Sequence, residues 1–234
     1  MKRIFSIDWN SPQTHILIGL MAPALVTGMN HHMFNVALPD IRQTFSIDPD
    51  TTAWVSMSFT LAFMTFMPLY GRLGDTLGKQ RLLLFGTLLF LAGTMIVISA
   101  NSTTTLMAGR LVQGMGTAGY VPLCIAIITQ RFAAEERGKA LGAWNSMIPL
   151  AGLSFPFVAG LLVDRFGWRA IYPPILLAAI VAFVMIQRFV QPLNSRIDYA
   201  FLRAFDWGGV VLLSGALASL LLYTSSRPIT GVPA

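Results

Sequence analysis

Chemistry in this chain would have to come from a few polar side chains placed inside long apolar stretches. Arg110 lies within the apolar stretch 104–129, and Gln113 follows three residues later on the same helical face. A cation among apolar neighbours costs several kcal/mol unless it faces a cavity or a partner. We therefore interpret Arg110 as a functional residue, with a structural clamp on neighbouring backbone carbonyls as the alternative.

A second polar group occurs in the apolar stretch 15–37. Counted from the predicted helix ends, His31 and Arg110 both lie about 10 Å deep, which predicts a shared polar cavity. The imidazole of His31 titrates near neutral pH and is a candidate proton carrier, with a hydrogen-bonded contact between helices as the alternative. The adjacent His32 points in another direction, so this pair predicts no metal site. Four polar residues of this stretch share one helical face: Thr27, Asn30, His31 and Asn35.

The composition indicates where these residues are embedded. Of the 234 residues, 55% are hydrophobic and 11% are charged, and the mean hydropathy is +0.66. Soluble domains carry about 25% charged residues, so this chain is predicted to be an integral membrane protein. Stretches of about 20 apolar residues cross the hydrocarbon as helices, because backbone groups cannot remain unpaired in lipid. The predicted spans are 15–37, 54–73, 82–100, 104–129, 140–163, 170–190 and 207–224.

The basic residues between the spans indicate the side of the membrane that each loop occupies. With a cytoplasmic N-terminus, the inner segments hold eleven lysines and arginines and the outer segments hold four. This excess follows the positive-inside rule and predicts a cytoplasmic N-terminus. The inner set is Lys2, Arg3, Arg72, Lys79, Arg81, Arg131, Arg137, Lys139, Arg188, Arg196 and Arg203, and the outer set is Arg42, Arg165, Arg169 and Arg227.

A short motif occurs twice. The stretches "GRLGDTLG" at 71–78 and "GLLVDRFG" at 160–167 share a glycine, a leucine, an aspartate and a glycine at matching positions. Each joins the second and third helix of a three-span unit, and the odd number of spans inverts the second unit. Such inverted repeats are typical of secondary transporters, although glycine and aspartate also favour turns everywhere. The predicted fold is an all-α integral membrane protein: a six-helix bundle of two inverted three-helix repeats plus a seventh transmembrane helix.

The residue types of the first copy suggest individual roles. Gly71 and Gly78 permit close backbone approach and turning. Asp75 is placed where the N-terminus of the third helix stabilises an acid. Lys79 and Arg81 are expected to keep the loop in the cytoplasm, and a solvated turn would explain these two basic residues equally well.

Several stretches resemble the signatures of a known family. "LMAGRLVQGMGTAG" from Leu106 resembles the fourth-helix motif of the major facilitator superfamily, and "AEERGKALG" is similar to its joint between helices four and five. "NVALPDI", "GWRAIY" and "FDWGG" are similar to its fourteen-helix drug/proton antiporter branch. A further set resembles the superfamily's loop motif between helices two and three: Gly71, Leu73, Asp75, Gly78, Lys79 and Arg81.

This resemblance implies a secondary transporter that exports small, drug-like molecules in exchange for protons. It also implies that Asp75 contacts a helix of the other half of the transporter and helps to close the cytoplasmic side. The implied partners are the lipid bilayer, a small-molecule substrate and protons, while no cofactor and no nucleic-acid partner are expected. The sequence contains no HExxH, P-loop or CxxC arrangement, so we do not predict an enzyme.

The chain departs from that branch at two places. The antiporters usually carry an aspartate where this chain has Asn30 and a threonine where it has His32. The absent carboxylate removes a candidate proton carrier and cation attractor. In the fifth span, "AGLSFPFVAG" keeps Pro156 and Gly160, which are expected to kink the helix and to permit close packing.

We predict two regions, 1–192 as the six-helix bundle and 193–234 as a cytoplasmic linker followed by one further transmembrane helix. Alternating access requires two bodies that move against each other. The chain is therefore expected to be a truncated N-terminal half in the inner (plasma) membrane, requiring a C-terminal half or a second copy. The alternative is a non-transporting half-transporter that assembles with or regulates other membrane proteins.

Overall fold

The computed structural model describes residues 11–192, together with Ala216 and Ser219. Over that part of the chain the protein is helical and contains no strand. Apart from those two positions, the seventh span predicted at 207–224 lies outside the described residues. The helices are α1 (Pro12–Phe45), α2 (Pro49–Leu77), α3 (Lys79–Ile98), α4 (Thr103–Thr117), α5 (Tyr120–Arg131), α6 (Ala134–Asn145), α7 (Met147–Phe166) and α8 (Tyr172–Phe189), with a 3-10 turn at Trp168–Ile171.

The six spans predicted within the described range are all helical. The first of them, α1, has 34 residues, but its interior residues Asn30, His31 and His32 lower its hydropathy. Five other stretches are both long and apolar enough to cross a membrane: Pro49–Leu77, Lys79–Ile98, Thr103–Arg131, Ala134–Phe166 and Trp168–Phe189. The prediction of an all-α membrane bundle is confirmed for the described residues.

The fourth and fifth spans each consist of two helices in series. α4 continues into α5 through Ala118 and Gly119, and α6 continues into α7 through Ser146. All three junction residues keep right-handed helical backbone angles, so each span runs on across its junction. The prediction had treated both spans as single helices.

The helix pairing shows the same pattern in both halves of the bundle. The first span, α1, packs mainly against α7 and α8, whereas the fourth span, α4, packs mainly against α2 and α3. Each three-span unit thus contributes its first span to the other unit, where this span packs against the second and third spans. The two copies of the repeated motif also end alike, because Gly78 (φ 93°) and Gly167 (φ 77°) both adopt backbone angles that favour glycine. This pattern supports the predicted pair of three-helix repeats.

Glycines bring α3 and α4 into close contact. A Cβ added at Gly86 would lie 2.5 Å from the carbonyl oxygen of Gly116, and one added at Gly93 would lie 2.6 Å from the backbone nitrogen of Gln113. Small residues allow such backbone approach between membrane helices. The contact fixes the position of α4, which carries Arg110, relative to α3.

The buried side chains form two clusters, one toward each end of the bundle. Met33 and Phe34 belong to the cluster nearer the α1–α2 loop, which we call the α1–α2 end. Tyr120 and Trp144 belong to the cluster nearer the α2–α3 loop, the α2–α3 end. The indole Nε1 of Trp144 donates a hydrogen bond to the carbonyl of Leu20 at 3.0 Å, which ties α6 to α1.

Candidate functional site

Arg110 lies buried between helices, with only 3% of its surface exposed. Its Nη1 donates a hydrogen bond to Oε1 of Gln113 at 3.2 Å. The Nε2 of Gln113 in turn donates to the hydroxyl of Thr94 on α3 at 2.9 Å, and that hydroxyl donates to the carbonyl of Phe90 at 2.8 Å. The two polar residues predicted on α4 thus share one hydrogen-bonded chain across the α3–α4 contact.

The guanidinium of Arg110 is packed between aromatic rings instead of pairing with a carboxylate. Its Cζ lies 3.7 Å from the ring centre of Phe34 on α1 and 4.6 Å from that of Phe59 on α2. Cation–π contacts of this kind stabilise a desolvated cation by about 2 kcal/mol. The Nε of Arg110 has no hydrogen-bond partner among the described residues. The alternative considered from the sequence was that Arg110 binds neighbouring backbone carbonyls. In the structure its guanidinium contacts two aromatic rings and the side chain of Gln113 instead.

Asn30, where the resemblance to antiporters implies an aspartate, is fully buried. Neither its amide nitrogen nor its carbonyl oxygen has a partner within the described part of the protein. Unpaired buried polar atoms cost about 1–3 kcal/mol each and are rare in folded proteins. Asn30 precedes Phe34 by one helical turn, so its side chain lies on the α1 face that meets Arg110.

His31 and Asn35 lie on an exposed face of α1. The amide Nδ2 of Asn35 and the Nε2 of His31 are 3.3 Å apart and share a hydrogen bond. Half-buried Thr27 continues this face by one turn, where its hydroxyl donates to the carbonyl of Pro23 at 3.0 Å. The four polar residues predicted as one set on α1 therefore divide into buried Asn30 and a more open face.

His31 lies within electrostatic range of Arg110, and the end of α1 lies eight residues beyond the end predicted from the sequence. α1 extends to Phe45, so His31 lies fourteen residues, about 21 Å, from its end. Arg110 lies seven residues, about 10 Å, from the start of α4 at Thr103. α1 therefore extends about 11 Å further beyond His31 than α4 extends beyond Arg110.

His32 has a separate role in packing. Its ring meets that of His31 edge-on, with ring centres 5.1 Å apart. A Cβ built on Gly152 of α7 would lie 2.9 Å from the Nε2 of His32, so the ring occupies the space that this glycine leaves free. The neighbouring contact is equally close, since a Cβ on Gly28 would lie 2.6 Å from the Cβ of Ala151. These glycines let α1 and α7 pack closely.

The glycine- and aspartate-containing motif between α2 and α3 forms a tight turn. Gly78 separates α2 from α3, and the carboxylate of Asp75 forms an ion pair with the ammonium of Lys79 across it. Asp75 is exposed, whereas Lys79 is buried with 8% of its side chain exposed. Arg81 is exposed and Leu73 packs against the cluster at this end of the bundle. The N-terminus of α3 was expected to stabilise Asp75. Lys79, the first residue of α3, supplies the positive charge that pairs with this carboxylate.

Gly71 does not make the close approach that the sequence suggested. The nearest atom to a Cβ added there is the Cβ of Pro122 at 3.8 Å, an ordinary contact distance. The close approach occurs at Gly74, where an added Cβ would lie 2.5 Å from Cδ2 of Leu123 on α5. Gly74 follows Gly71 by three residues and both face α5, but no signal in the sequence distinguishes which of them makes the closer contact.

In the fifth span, the close packing expected at Gly160 is not seen among the described residues. A Cβ added at Gly160 would meet no atom within 4 Å among the described residues, so this glycine makes no close helix contact there. Pro156 lies inside α7, which continues as one helix from Met147 to Phe166. The discontinuity in this span occurs at Ser146, ten residues before Pro156.

Two links at the α1–α2 end involve residues that the sequence did not single out. The backbone N–H of Trp168 donates to the carboxylate of Asp40 on α1 at 2.8 Å. Arg169 donates from Nε to the carbonyl of Ile98 at 3.0 Å and from Nη2 to the carbonyl of Ala100. Both arginine contacts satisfy carbonyls left free at the end of α3. Trp168 and Arg169 belong to the motif "GWRAIY", but nothing in that motif indicates the groups to which they are hydrogen-bonded.

An open cavity of about 580 Å³ lies at the α1–α2 end. Four of the residues that line it are polar: Asn35, Arg42, Gln43 and Thr52. Asn35 also bonds to His31, so the cavity adjoins the exposed face of α1.

The chain resembles curated transporters over most of its length. It is 32% identical over 199 residues to Multidrug resistance protein Stp of Mycobacterium tuberculosis, which covers 84% of this chain and 36% of that protein. It is 28% identical over 207 residues to Multidrug resistance protein 3 of Bacillus subtilis (88% and 39%) and 26% identical over 213 residues to Riboflavin transporter RibZ of Clostridioides difficile (91% and 46%). The chain thus spans less than half the length of these relatives.

Solved structures and a family model identify the fold and the family. A bacterial homologue of the human lysosomal transporter Spinster, in an inward-facing and unoccupied conformation, superposes with a TM-score of 0.69 at 16% identity over 81% of this chain and 45% of that one. The human organic anion transporter MFSD10 gives 0.68 at 15% identity, over 80% and 50%. The family model described as Major Facilitator Superfamily matches residues 20–196. The chain belongs to the major facilitator superfamily of membrane transporters.

Proposed function

We propose that this bundle is the substrate-binding half of a secondary transporter that exports small molecules and uses the proton gradient. The observation that carries the proposal is the buried Arg110, which packs against α1 near Asn30, a buried amide with no hydrogen-bond partner among the described residues. An ionisable residue within a membrane bundle is a functional candidate because its burial is costly. The multidrug and riboflavin transporters among the relatives support small molecules as substrates.

The exposed face of α1 supports a route for protons. His31 is exposed there, bonds to Asn35 and lies near Arg110. An imidazole can gain and lose a proton near neutral pH, which no other type of side chain does without a shifted environment. We propose His31 as the residue that exchanges the coupling proton.

A second helical body is proposed to complete the transporter. The second and fifth spans are the least buried, with 22% and 11% of their most apolar windows buried, against 33–61% for the three other apolar spans. Gly138 and Gly142, one turn apart on α6, would each accept a Cβ without meeting any described atom. Membrane helices use such small residues to pack against one another. These surfaces are suited to a C-terminal half or to a second copy of this chain.

The α2–α3 end is proposed to face the cytoplasm, with the protein in the plasma membrane. Arg72, Arg81, Arg137 and Lys139 are exposed at this end, in agreement with the positive-inside rule. A reporter enzyme inserted after Gly138 would be active in the cytoplasm only. Activity of a periplasmic reporter at that position would contradict this orientation.

Flux measurements test the proposed function. The gene product would be reconstituted in proteoliposomes, and uptake of small anionic and cationic dyes would be followed with and without an imposed pH gradient. We expect gradient-dependent dye flux that falls at least about tenfold in Arg110→Ala, since the buried cation is lost. Arg188→Gln removes an exposed charge at the end of α8 and is expected to retain the flux.

Two outcomes of that experiment would contradict the proposal. Absence of flux for every dye, even when a complementary half is supplied, would favour the non-transporting assembly or regulatory role. Flux that is indifferent to the pH gradient would refute proton coupling while leaving transport intact. Equal loss in Arg110→Ala and Arg188→Gln would show that the effect does not depend on the buried site.

A further inference from the structure

The carboxylates of the described residues lie at or near the helix ends. Asp40 is the one acidic residue of α1 and lies five residues before the helix end at Phe45. Its carboxylate accepts a hydrogen bond from the backbone N–H of Trp168. Within residues 11–192, the middle of the bundle therefore presents cationic and neutral polar groups without an acid. The aspartates and glutamates within residues 11–192 are Asp40, Asp48, Asp50, Asp75, Glu135, Glu136 and Asp164.

A polar track follows α1 from the middle of the bundle to the cavity. His31, Asn35 and Arg42 are spaced by four and seven residues, which places them on one face of the helix. All three side chains are exposed, and the first two are hydrogen-bonded to each other. Asn35 and Arg42 line the cavity of about 580 Å³, so the track opens directly into it.

The charge along this track is positive. At the cavity, the Nε of Arg42 donates to the carbonyl of Ile47 at 3.4 Å, which holds the guanidinium at the rim. The terminal amino groups of Arg42 have no hydrogen-bond partner within residues 11–192. Deeper in the bundle lies buried Arg110, whose guanidinium packs against aromatic rings and has no acidic partner among the described residues. Arg42 is the one charged residue among those that line the cavity, while Asp48 and Asp50 lie nearby at the start of α2.

We propose that this track and cavity form a binding site for an anionic small molecule with a carboxylate or similar acidic group. The inference rests on the proposed transport function and names its substrate class. A guanidinium binds carboxylates through paired hydrogen bonds, and Asn35 and His31 add neutral hydrogen-bonding groups along the path. A cationic ligand would meet the guanidinium of Arg42, and no acidic residue lines the described cavity, which disfavours its binding.

Equilibrium binding of two dyes tests this assignment without requiring transport. Fluorescein and rhodamine 6G share a xanthene ring system, but the first is an anion near neutral pH and the second is a cation. Each would be titrated with the purified chain in neutral detergent at low salt, with fluorescence anisotropy as the signal. We expect fluorescein to bind at least about tenfold more tightly than rhodamine 6G.

Two variants test whether the cavity is responsible. Arg42→Gln is expected to weaken fluorescein binding about tenfold, and Gln43→Glu, which adds a carboxylate to the same cavity, is expected to weaken it similarly. Arg165→Gln removes an exposed arginine at the same end of the bundle that does not line the cavity, and it is expected to bind as the wild type does. Size-exclusion profiles would check that each variant is folded.

The outcomes separate this inference from the proposed function. Tighter binding of rhodamine 6G, no binding of either dye, or equal weakening by Arg42→Gln and Arg165→Gln would each overturn the anionic site. Selective fluorescein binding by a protein that shows no flux would support the site and refute the transport function.

Discussion

Replacing Gly114 by alanine should destabilise the bundle, because this position has no room for a methyl group. A Cβ built on Gly114 would overlap the backbone carbonyl oxygen of Phe59 on α2 and would lie 3.0 Å from the Cβ of Ala62. Since the overlapping atom belongs to the backbone, no rotation of a side chain can relieve the contact. α2 and α4 would have to separate along the face that places Phe59 beside Arg110.

The expected magnitude follows from two opposing effects. Overpacking a close contact costs about 1–3 kcal/mol, and the backbone overlap places Gly114 near the upper end of that range. Alanine favours a helix over glycine by about 1 kcal/mol, which offsets part of the cost. The net loss is about 2 kcal/mol, which corresponds to a fall in melting temperature of about 4–8 °C for a domain of this size.

The chain contains its own probe for the measurement. Cys124 is its one cysteine and is completely buried, so a fluorogenic maleimide would react only as the bundle unfolds. Gly142→Ala serves as the matched control because a Cβ there meets no atom within 4 Å among the described residues. We expect Gly142→Ala to melt at or slightly above the wild-type temperature.

Equal melting temperatures for the two alanine variants would refute the reasoning. Such a result would mean that α2 and α4 do not pack at the distance described. A fall in both variants would instead show that loss of glycine itself, and not the close contact, controls the stability.

Two further predictions concern hydrogen bonds that hold the site and its supports. Gln113→Leu removes a hydrogen-bond partner from both Arg110 and Thr94 and should lower the free energy of unfolding by about 2 kcal/mol. The same thiol assay measures this loss. Thr94→Ser should lower it less, because the hydroxyl remains. Arg169→Leu removes two hydrogen-bond donors from the carbonyls at the end of α3 and should lower the free energy of unfolding by about 1–2 kcal/mol. A melting temperature unchanged from the wild type would contradict this role.

The helices could be predicted from the sequence because the lipid requires long apolar runs. Each of the six predicted spans within the described residues corresponds to one helix or to two helices in series, but the ends differ by up to eight residues, as at the end of α1. Polar residues such as Arg42 and Gln43 continue α1 beyond its apolar part, and hydropathy does not register them. That extension places His31 fourteen residues from the end of α1, about twice the number counted from the predicted end.

The contacts of the site depended on information that one sequence does not contain. The spacing of Arg110 and Gln113 predicted that they share a face, and they are hydrogen-bonded. Nothing in the sequence indicated that Phe34 and Phe59 would enclose the guanidinium, because these rings come from two other helices. The glycine contacts are similar, since residue type shows where a helix can approach but not which neighbour does so.

The central claim is that the exposed face of α1 is a water-accessible substrate surface beside a buried arginine. Cysteines introduced singly at positions 30, 31 and 35 of a Cys124→Ala chain in membranes would be treated with a membrane-impermeant maleimide. We expect labelling of the cysteines replacing His31 and Asn35, which are exposed, and protection of the one replacing Asn30, which is buried. Protection at all three positions would contradict the account, because a face turned toward lipid or sealed by protein could not admit a substrate from water.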